Sequence, residues 1–293
     1  MRSNEPLVAP GIPGGSQAVV RRMVAILLAL VIGGFVLKAL AGAAEAKLVF
    51  FPTRGQDDTP ATLGIRYDAL RLRTSDGEQL AAWQLEPDEP VADVVYFHGN
   101  GGNLSVWMPV LATLHQHRLR VLAVDYRGYG LSSGTPSEQG LYRDAEAAVM
   151  HAVAQRTAPR RPLVYWGRSL GGPVAASGAR IAPPDGLILE STFPDKASVV
   201  RSNPVLRALN VFATYRFPTA EMLQQFRNPV LVVHATNDSI VPHALGRELY
   251  DQLRGPRQFL DIAQADHNDL FVTSRQPYWK PILDFVATLR GRE

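Results

Sequence analysis

The chain has no cysteine among its 293 residues. That absence excludes disulfides, thiolate metal sites and a cysteine nucleophile. It leaves the compartment open, since a cysteine-free protein tolerates either redox state. An excess of one charge is missing too: 30 Lys and Arg stand against 27 Asp and Glu, a formal net charge of +3. The basic residues form no block of the kind that marks a nucleic-acid surface, so no nucleic-acid partner is expected. No internal repeat and no second domain boundary interrupt the chain after residue 47. With 46% apolar and 19% charged residues, disorder is not the main state, and the length fits one packed α/β domain.

The N-terminus stands apart. Residues 1–18 are rich in Pro, Gly and Ser without periodicity and are expected to form a disordered tail. Arg21-Arg22 leads into the apolar run Met23 to Leu37, which Lys38 interrupts and Ala39 to Ala44 continue. A transmembrane helix needs about 20 mainly apolar residues, and Lys38 lies near enough to one end to snorkel. We expect an anchor over residues 19–46, single-pass, with the arginines holding the N-terminus in the cytoplasm and the remaining domain across the membrane. A cleaved signal peptide, with Ala41-Gly42-Ala43 as its small-residue site and a secreted or periplasmic product, is the alternative. A buried core helix is the third reading.

From residue 47 onwards short β-rich runs alternate with helical stretches. Leu70 to Thr74 and Leu80 to Leu85 flank Ser75-Asp76-Gly77 and read as a hairpin. The runs Asp93 to Phe97, Val121 to Val124, Leu163 to Trp166, Leu187 to Leu189 and Val230 to His234 are apolar at nearly every position. Strands covered on both faces look like that. Helical candidates such as Val106 to His117 and Leu141 to Arg156 lie between them. The expected fold is therefore a mostly parallel central sheet with helices on both faces. The proline-punctuated stretch of about 193–227 is expected to insert two short helices as a small cap.

The chemistry centres on Gly167-Arg168-Ser169-Leu170-Gly171, a G-x-S-x-G motif directly after one such strand and before the small-residue helix Gly172 to Ile181. A strand-to-helix turn is the setting in which this motif exposes a nucleophilic serine. A serine hydroxyl needs a base, and in this chain order the acid and then the histidine follow the serine. His234 lies inside an apolar strand and His243 at a helix start. His267 lies in a loop after the last strand-like run, Phe259 to Ile262, and is the candidate base. Asp238, just past the strand Val230 to His234, is the candidate acid, with Glu190 and Asp195 as rivals and a local capping role as its plain alternative. The oxyanion needs two backbone N–H donors. Leu170 offers one, and the glycine-rich loop His98-Gly99-Asn100-Gly101-Gly102-Asn103 offers the other. That loop has neither the G-K-[ST] ending nor the spacing of a nucleotide-binding loop.

These motifs, with Asp125-Tyr126-Arg127-Gly128-Tyr129-Gly130 and His267-Asn268-Asp269, resemble the α/β-hydrolase superfamily over roughly Leu48 to Leu289. More narrowly they resemble its Bem46-like branch. The resemblance implies an α/β-hydrolase fold, a triad of Ser169, Asp238 and His267, and oxyanion amides from Asn100 and Leu170. It also implies cleavage of carboxylic esters or thioesters of a small-molecule or acyl-chain substrate, with no metal or organic cofactor. A peptidase, an acyltransferase using the same serine, or a catalytically silent membrane-bound binding protein are the other readings of the same fold. Whether Tyr126, Arg127 and Tyr129 line a pocket or hold a loop is left open by the sequence.

Overall fold

The computed structural model describes residues 15–156, 161–202, 214–270 and 278–290. The chain divides into two units, one ending at Glu45 and one spanning Ala46–Glu293. Helix α1 runs over Gly15–Val49, so it begins four residues inside the stretch expected to be a tail; residues 1–14 lie outside the described residues. Met23, Val24, Ile26, Leu27, Leu28, Leu30, Val31 and Ile32 on it are exposed. Among the described residues no helix is long and apolar enough to cross a membrane. The side chains of 35–44, part of the expected anchor, lie outside the described set.

The second unit is built on an eight-stranded sheet. After a two-residue strand β1 (Phe51–Pro52), the hairpin of β2 (Tyr67–Arg73) and β3 (Gln79–Leu85) pairs antiparallel. Its turn places Gly77 at φ +95°, a left-handed conformation that a side chain would strain. β4 (Ala92–Phe97), the two-residue β5 (Gly101–Gly102), β6 (Leu119–Val124), β7 (Leu163–Arg168), β8 (Gly186–Glu190), β9 (Val230–Ala235) and β10 (Arg257–Ile262) follow. The order across the sheet is β10-β9-β8-β7-β4-β6-β3-β2. From β6 to β10 every pairing is parallel.

The near-continuous apolarity of these strands has a direct cause. Val95, Phe97, Leu163 and Tyr165 enter one core cluster, while their neighbours Val94, Tyr96, Val164 and Trp166 enter another on the opposite face. α2 (Leu104–Gln116) and α8 (Trp279–Thr288) cover the second cluster. α3 (Glu138–Ala154), α4 (Gly171–Ile181) and α7 (His243–Gln252) cover the first. Because β4 leads to β6 on one side and β7 leads to β8 on the other, the chain diverges between the carboxyl ends of β4 and β7. A crevice opens at such a switch point. Of the expected cap, α5 (Lys196–Ser202) and α6 (Thr219–Met222) are helical; residues 203–213, with Val205, Leu206, Leu209, Val211 and Phe212, lie outside the described residues.

Candidate active site

The motif at the end of β7 is shaped by what its glycines allow. A Cβ on Gly167 would stand 2.3 Å from the carbonyl oxygen of Gly171, one on Gly171 2.0 Å from that of Phe97, and one on Gly172 2.1 Å from Oγ1 of Thr192. Only bare backbone fits three such approaches in six residues. The turn they permit holds Ser169 at φ +52°, a strained value for a side-chain-bearing residue. The strain is held locally: Ser169 N donates to the Glu190 carbonyl at 2.8 Å, and its own carbonyl accepts from Gly172 N at 2.9 Å and Thr192 Oγ1 at 2.8 Å.

The loop after β4 lies directly against this elbow. An ideal Cβ on Gly171 would also approach the His98 carbonyl to 2.8 Å, and one on Gly99 would stand 3.7 Å from the Ser169 Cβ. Leu170 and Asn100 therefore belong to two backbone segments packed against each other beside Ser169. Tyr126, Arg127 and Tyr129 hold loops. The Tyr126 hydroxyl donates to the His98 carbonyl and the Tyr129 hydroxyl to Asn100 Oδ1, both at 2.8 Å. Arg127 pairs with Asp144 and Asp76. That pairing is the largest influence on Asp76 and holds its carboxyl well below the usual range.

Asp238 and His267 meet from two loops. His267 Nδ1 donates to Asp238 Oδ2 at 2.8 Å, which leaves Nε2 as the ring's proton acceptor. Asp238 Oδ1 also accepts from the amides of Ile240 and Val241, at 3.0 and 2.7 Å, so the local turn and the histidine share one carboxylate. Burial alone would push that carboxyl up, but the hydrogen bonds from His234 and His267 hold it well below the usual range. Asp266 braces the histidine loop by accepting from His267 N and from both donors of Ser239. The rival acids are engaged elsewhere. Glu190 accepts from Trp166, Arg168 and Tyr278, and Asp195 accepts from Ser198 N at the start of α5. His243 donates to Asp261 at 2.7 Å.

Two contributors escape a sequence reading. His234 is buried, donates through Nε2 to the Val241 carbonyl at 2.9 Å, and stands 3.4 Å from Asp238 Oδ2. Arg168, the variable residue before the serine, is fully buried; it pairs with Glu190 at 3.1 Å and donates to the His267 carbonyl at 2.6 Å. An arginine closing one apolar strand and a glutamate closing the next are the sequence trace of that network. A separate hollow of about 410 Å³ between α5 and α6, bordered by Asp195, Tyr215, Arg216 and Glu221, touches none of Ser169, Asp238 or His267.

Comparison with known proteins agrees with this architecture. Residues 94–220 match the family model described as alpha/beta hydrolase fold. The chain is 31% identical to the alpha/beta hydrolase domain-containing protein WAV2 of Arabidopsis thaliana, over 87% of this chain and 92% of that one. The chain thus belongs to the α/β-hydrolase superfamily. An uncharacterized membrane protein of Saccharomyces cerevisiae is 30% identical over 80% of this chain and 84% of its own. The lysophosphatidylserine lipase ABHD12 of Danio rerio is 38% identical over 54% of this chain and 46% of its own. Among solved structures, the esterase Pf2001 of Pyrococcus furiosus superposes with a TM-score of 0.64 at 18% identity, over 82% of this chain and 96% of that one.

Proposed function

We propose that the protein is a serine hydrolase that cleaves carboxylic esters or thioesters through a covalent acyl-enzyme. The observation that carries this reading is the joint geometry of elbow and histidine loop. Ser169 sits on a turn held at positive φ. The adjacent Arg168 grips the backbone of His267, whose ring is oriented by Asp238. In the proposed reaction Ser169 Oγ attacks the acyl carbonyl while His267 Nε2 takes its proton. The amides of Asn100 and Leu170 hold the oxyanion. His267 then protonates the leaving alcohol or thiol, and water repeats the sequence to free the acid. The protein's place in the Bem46-like branch and a cap over 193–227 belong to the same proposal. A lipid-like acyl substrate is supported by the lipase name of the zebrafish relative.

The same reading places the protein at a membrane, as a single-pass protein with its hydrolase unit outside the cytoplasm. Its supports are the membrane designation of the yeast relative, the exposed apolar residues of α1, and Arg21-Arg22 ahead of them. Carbonate extraction of cell membranes tests the attachment, and release of the full-length chain into the soluble fraction overturns it. The function is tested by hydrolysis of p-nitrophenyl esters from acetate to palmitate, with Ser169→Ala in parallel and a fluorophosphonate probe as active-site label. Turnover and labelling that both vanish in Ser169→Ala support the mechanism. Neither turnover nor labelling in the wild type points to a silent binding protein.

A further inference from the structure

The residue whose amide is placed in the oxyanion hole has a side chain with a different destination. Asn100 Nδ2 donates to the Val49 carbonyl at 2.5 Å, and its Oδ1 accepts from Phe51 N at 3.2 Å and from the Tyr129 hydroxyl. Two of these three bonds go to the arm of residues 46–55 by which the chain enters the hydrolase unit. The arm is stitched to the same loop by backbone as well. β1 pairs parallel with β5, Phe51 opposite Gly101 and Pro52 opposite Gly102, and Thr53 N donates to the Gly102 carbonyl.

The arm's other edge is fastened to the loop that carries Tyr129. Gly130 N donates to the Thr53 carbonyl, Gly55 N to the Gly130 carbonyl, and the Arg54 guanidinium to the carbonyls of Ser132 and Gly134. Asn103, which caps α2 through Ser105 N, also donates to the Gly55 carbonyl. Only Phe50 of residues 50–54 is buried, packed against Phe217 and Tyr215; Phe51 to Arg54 are exposed. Phe50, with Ala46 and Val49 partly buried beside it, is the arm's share of the apolar core. Its hydrogen bonds to the rest of the unit fall largely on two segments, residues 100–103 and 130–134.

We propose that Asn100 is a positioning residue whose side chain clamps the oxyanion loop to the arm, so that the arm's placement sets where the Asn100 amide points. The inference rests on the serine-hydrolase reading. An amide in a flexible glycine-rich loop aims at a developing charge only if something outside the loop fixes it. Three bonds made by a single carboxamide, two of them to the arm at Val49 and Phe51, supply that restraint. Arg54, which bonds to no residue of the 98–103 loop, acts on the same amide from the arm's far end.

The test is steady-state hydrolysis of p-nitrophenyl butyrate by the full chain, with rates normalised to fluorophosphonate-titrated Ser169 so that unfolded protein does not count. Asn100→Ala is expected to lower kcat roughly 10- to 100-fold with KM within about 2-fold, since a misaimed donor weakens the transition state more than the bound ester. Arg54→Ala is expected to lower kcat by a smaller factor, again with KM preserved. The double variant should fall little below Asn100→Ala alone, because both changes release the same arm. Two results overturn the proposal: an Asn100→Ala kcat within 2-fold of wild type, or Arg54→Ala and Asn100→Ala effects that multiply. A wild type that neither turns over nor labels refutes the underlying hydrolase reading instead, which separates the two failures.

Discussion

Arg168 Nη2 donates to the main-chain carbonyl of His267, 99 residues further on, at 2.6 Å, while Nη1 pairs with Glu190 at 3.1 Å. One buried guanidinium thus ties the end of β7, just before Ser169, to the loop that presents His267. Glu190 is itself held by Trp166 Nε1 and the Tyr278 hydroxyl, so the fork rests on a fixed base. Ser169 and its proposed base are registered to each other through the residue beside the serine.

Arg168→Lys tests this registration. A lysine keeps a cation for Glu190 but lacks the planar fork that reaches two acceptors at fixed geometry. The expected outcome is a loss in kcat of roughly tenfold with little change in KM, because about 1.4 kcal/mol of misplacement is enough for that factor. Arg168→Ala leaves Glu190 buried without its charge partner and is expected to cost about 3–5 kcal/mol of stability. Urea denaturation read beside the kinetics separates the two effects. A lysine variant with wild-type kcat removes Arg168 from the positioning role.

Asp238→Asn addresses the proposed acid. An amide in this place can present its NH2 to His267 and favour the wrong ring tautomer, and loss of such an acid elsewhere costs about 10⁴ in kcat. A fall of roughly 10³ or more, with probe labelling of Ser169 slowed in step, is expected. The stability consequence has a definite sign. The carboxyl of Asp238 is held below its ordinary range, so its contribution is present above the usual carboxylate pKa and fades as pH falls through the lower folded value. The stability gap between wild type and Asp238→Asn should therefore be widest at neutral pH and narrow below about pH 4. A gap that does not change with pH contradicts the assignment.

Much of the scaffold is legible in the residues because burial is so uniform. β4, β7, β8 and β9 are buried at every position, which is why their apolar runs stand out without alternation. The elbow is legible because its three glycines follow from three close approaches, two to backbone carbonyls and one to the Thr192 side chain. Other features leave no periodic trace. β1 is two residues long and exposed, so its pairing with Gly101 and Gly102 is a purely tertiary event. Arg168 occupies a variable motif position, and its reach to His267 depends on how a loop 99 residues away returns to the sheet. His234 reads as a buried strand residue, which it is; that its ring also faces Asp238 depends on the tight turn from Ala235 to Val241.

His234→Phe examines that second contact. The ring's Nε2 donates to the Val241 carbonyl, the residue whose amide in turn holds Asp238 Oδ1. Removing the donor leaves a buried carbonyl unpaired, at a cost of about 1–3 kcal/mol. Gly246 lies so close to the ring that a Cβ there would approach His234 Nδ1 to 2.2 Å, so the site has no slack to relax. Because Asp238 keeps both amide donors and His267, kcat should fall by less than about tenfold. A loss comparable to Asp238→Asn would make His234 an obligatory partner of the acid instead of a support.

The pair Asp125 and His98 yields a pH-dependent prediction. Both are buried; His98 Nδ1 donates to the Gly99 carbonyl at 2.6 Å, and its Nε2, 3.6 Å from Asp125 Oδ1, has no hydrogen-bond partner among the described residues. Burial pushes the Asp125 carboxyl up to about 7, against the Leu104 amide that favours its ionised form, and pushes the His98 ring down to about 4. For a carboxyl raised on folding, the stabilising contribution is complete below the ordinary carboxylate pKa and is lost as pH rises through the folded value. Asp125→Asn keeps an acceptor for Leu104 N and removes the titration. The stability of wild type relative to Asp125→Asn should thus decline between about pH 4 and about pH 7, by at most about 1.4 kcal/mol per pH unit, and level off above that. Titrating groups remote from Asp125 are common to both proteins and cancel in the difference. Denaturation midpoints that run parallel across this range would show that Asp125 is ionised throughout and that the loop of residues 98–103 is not pH-sensitive through this pair.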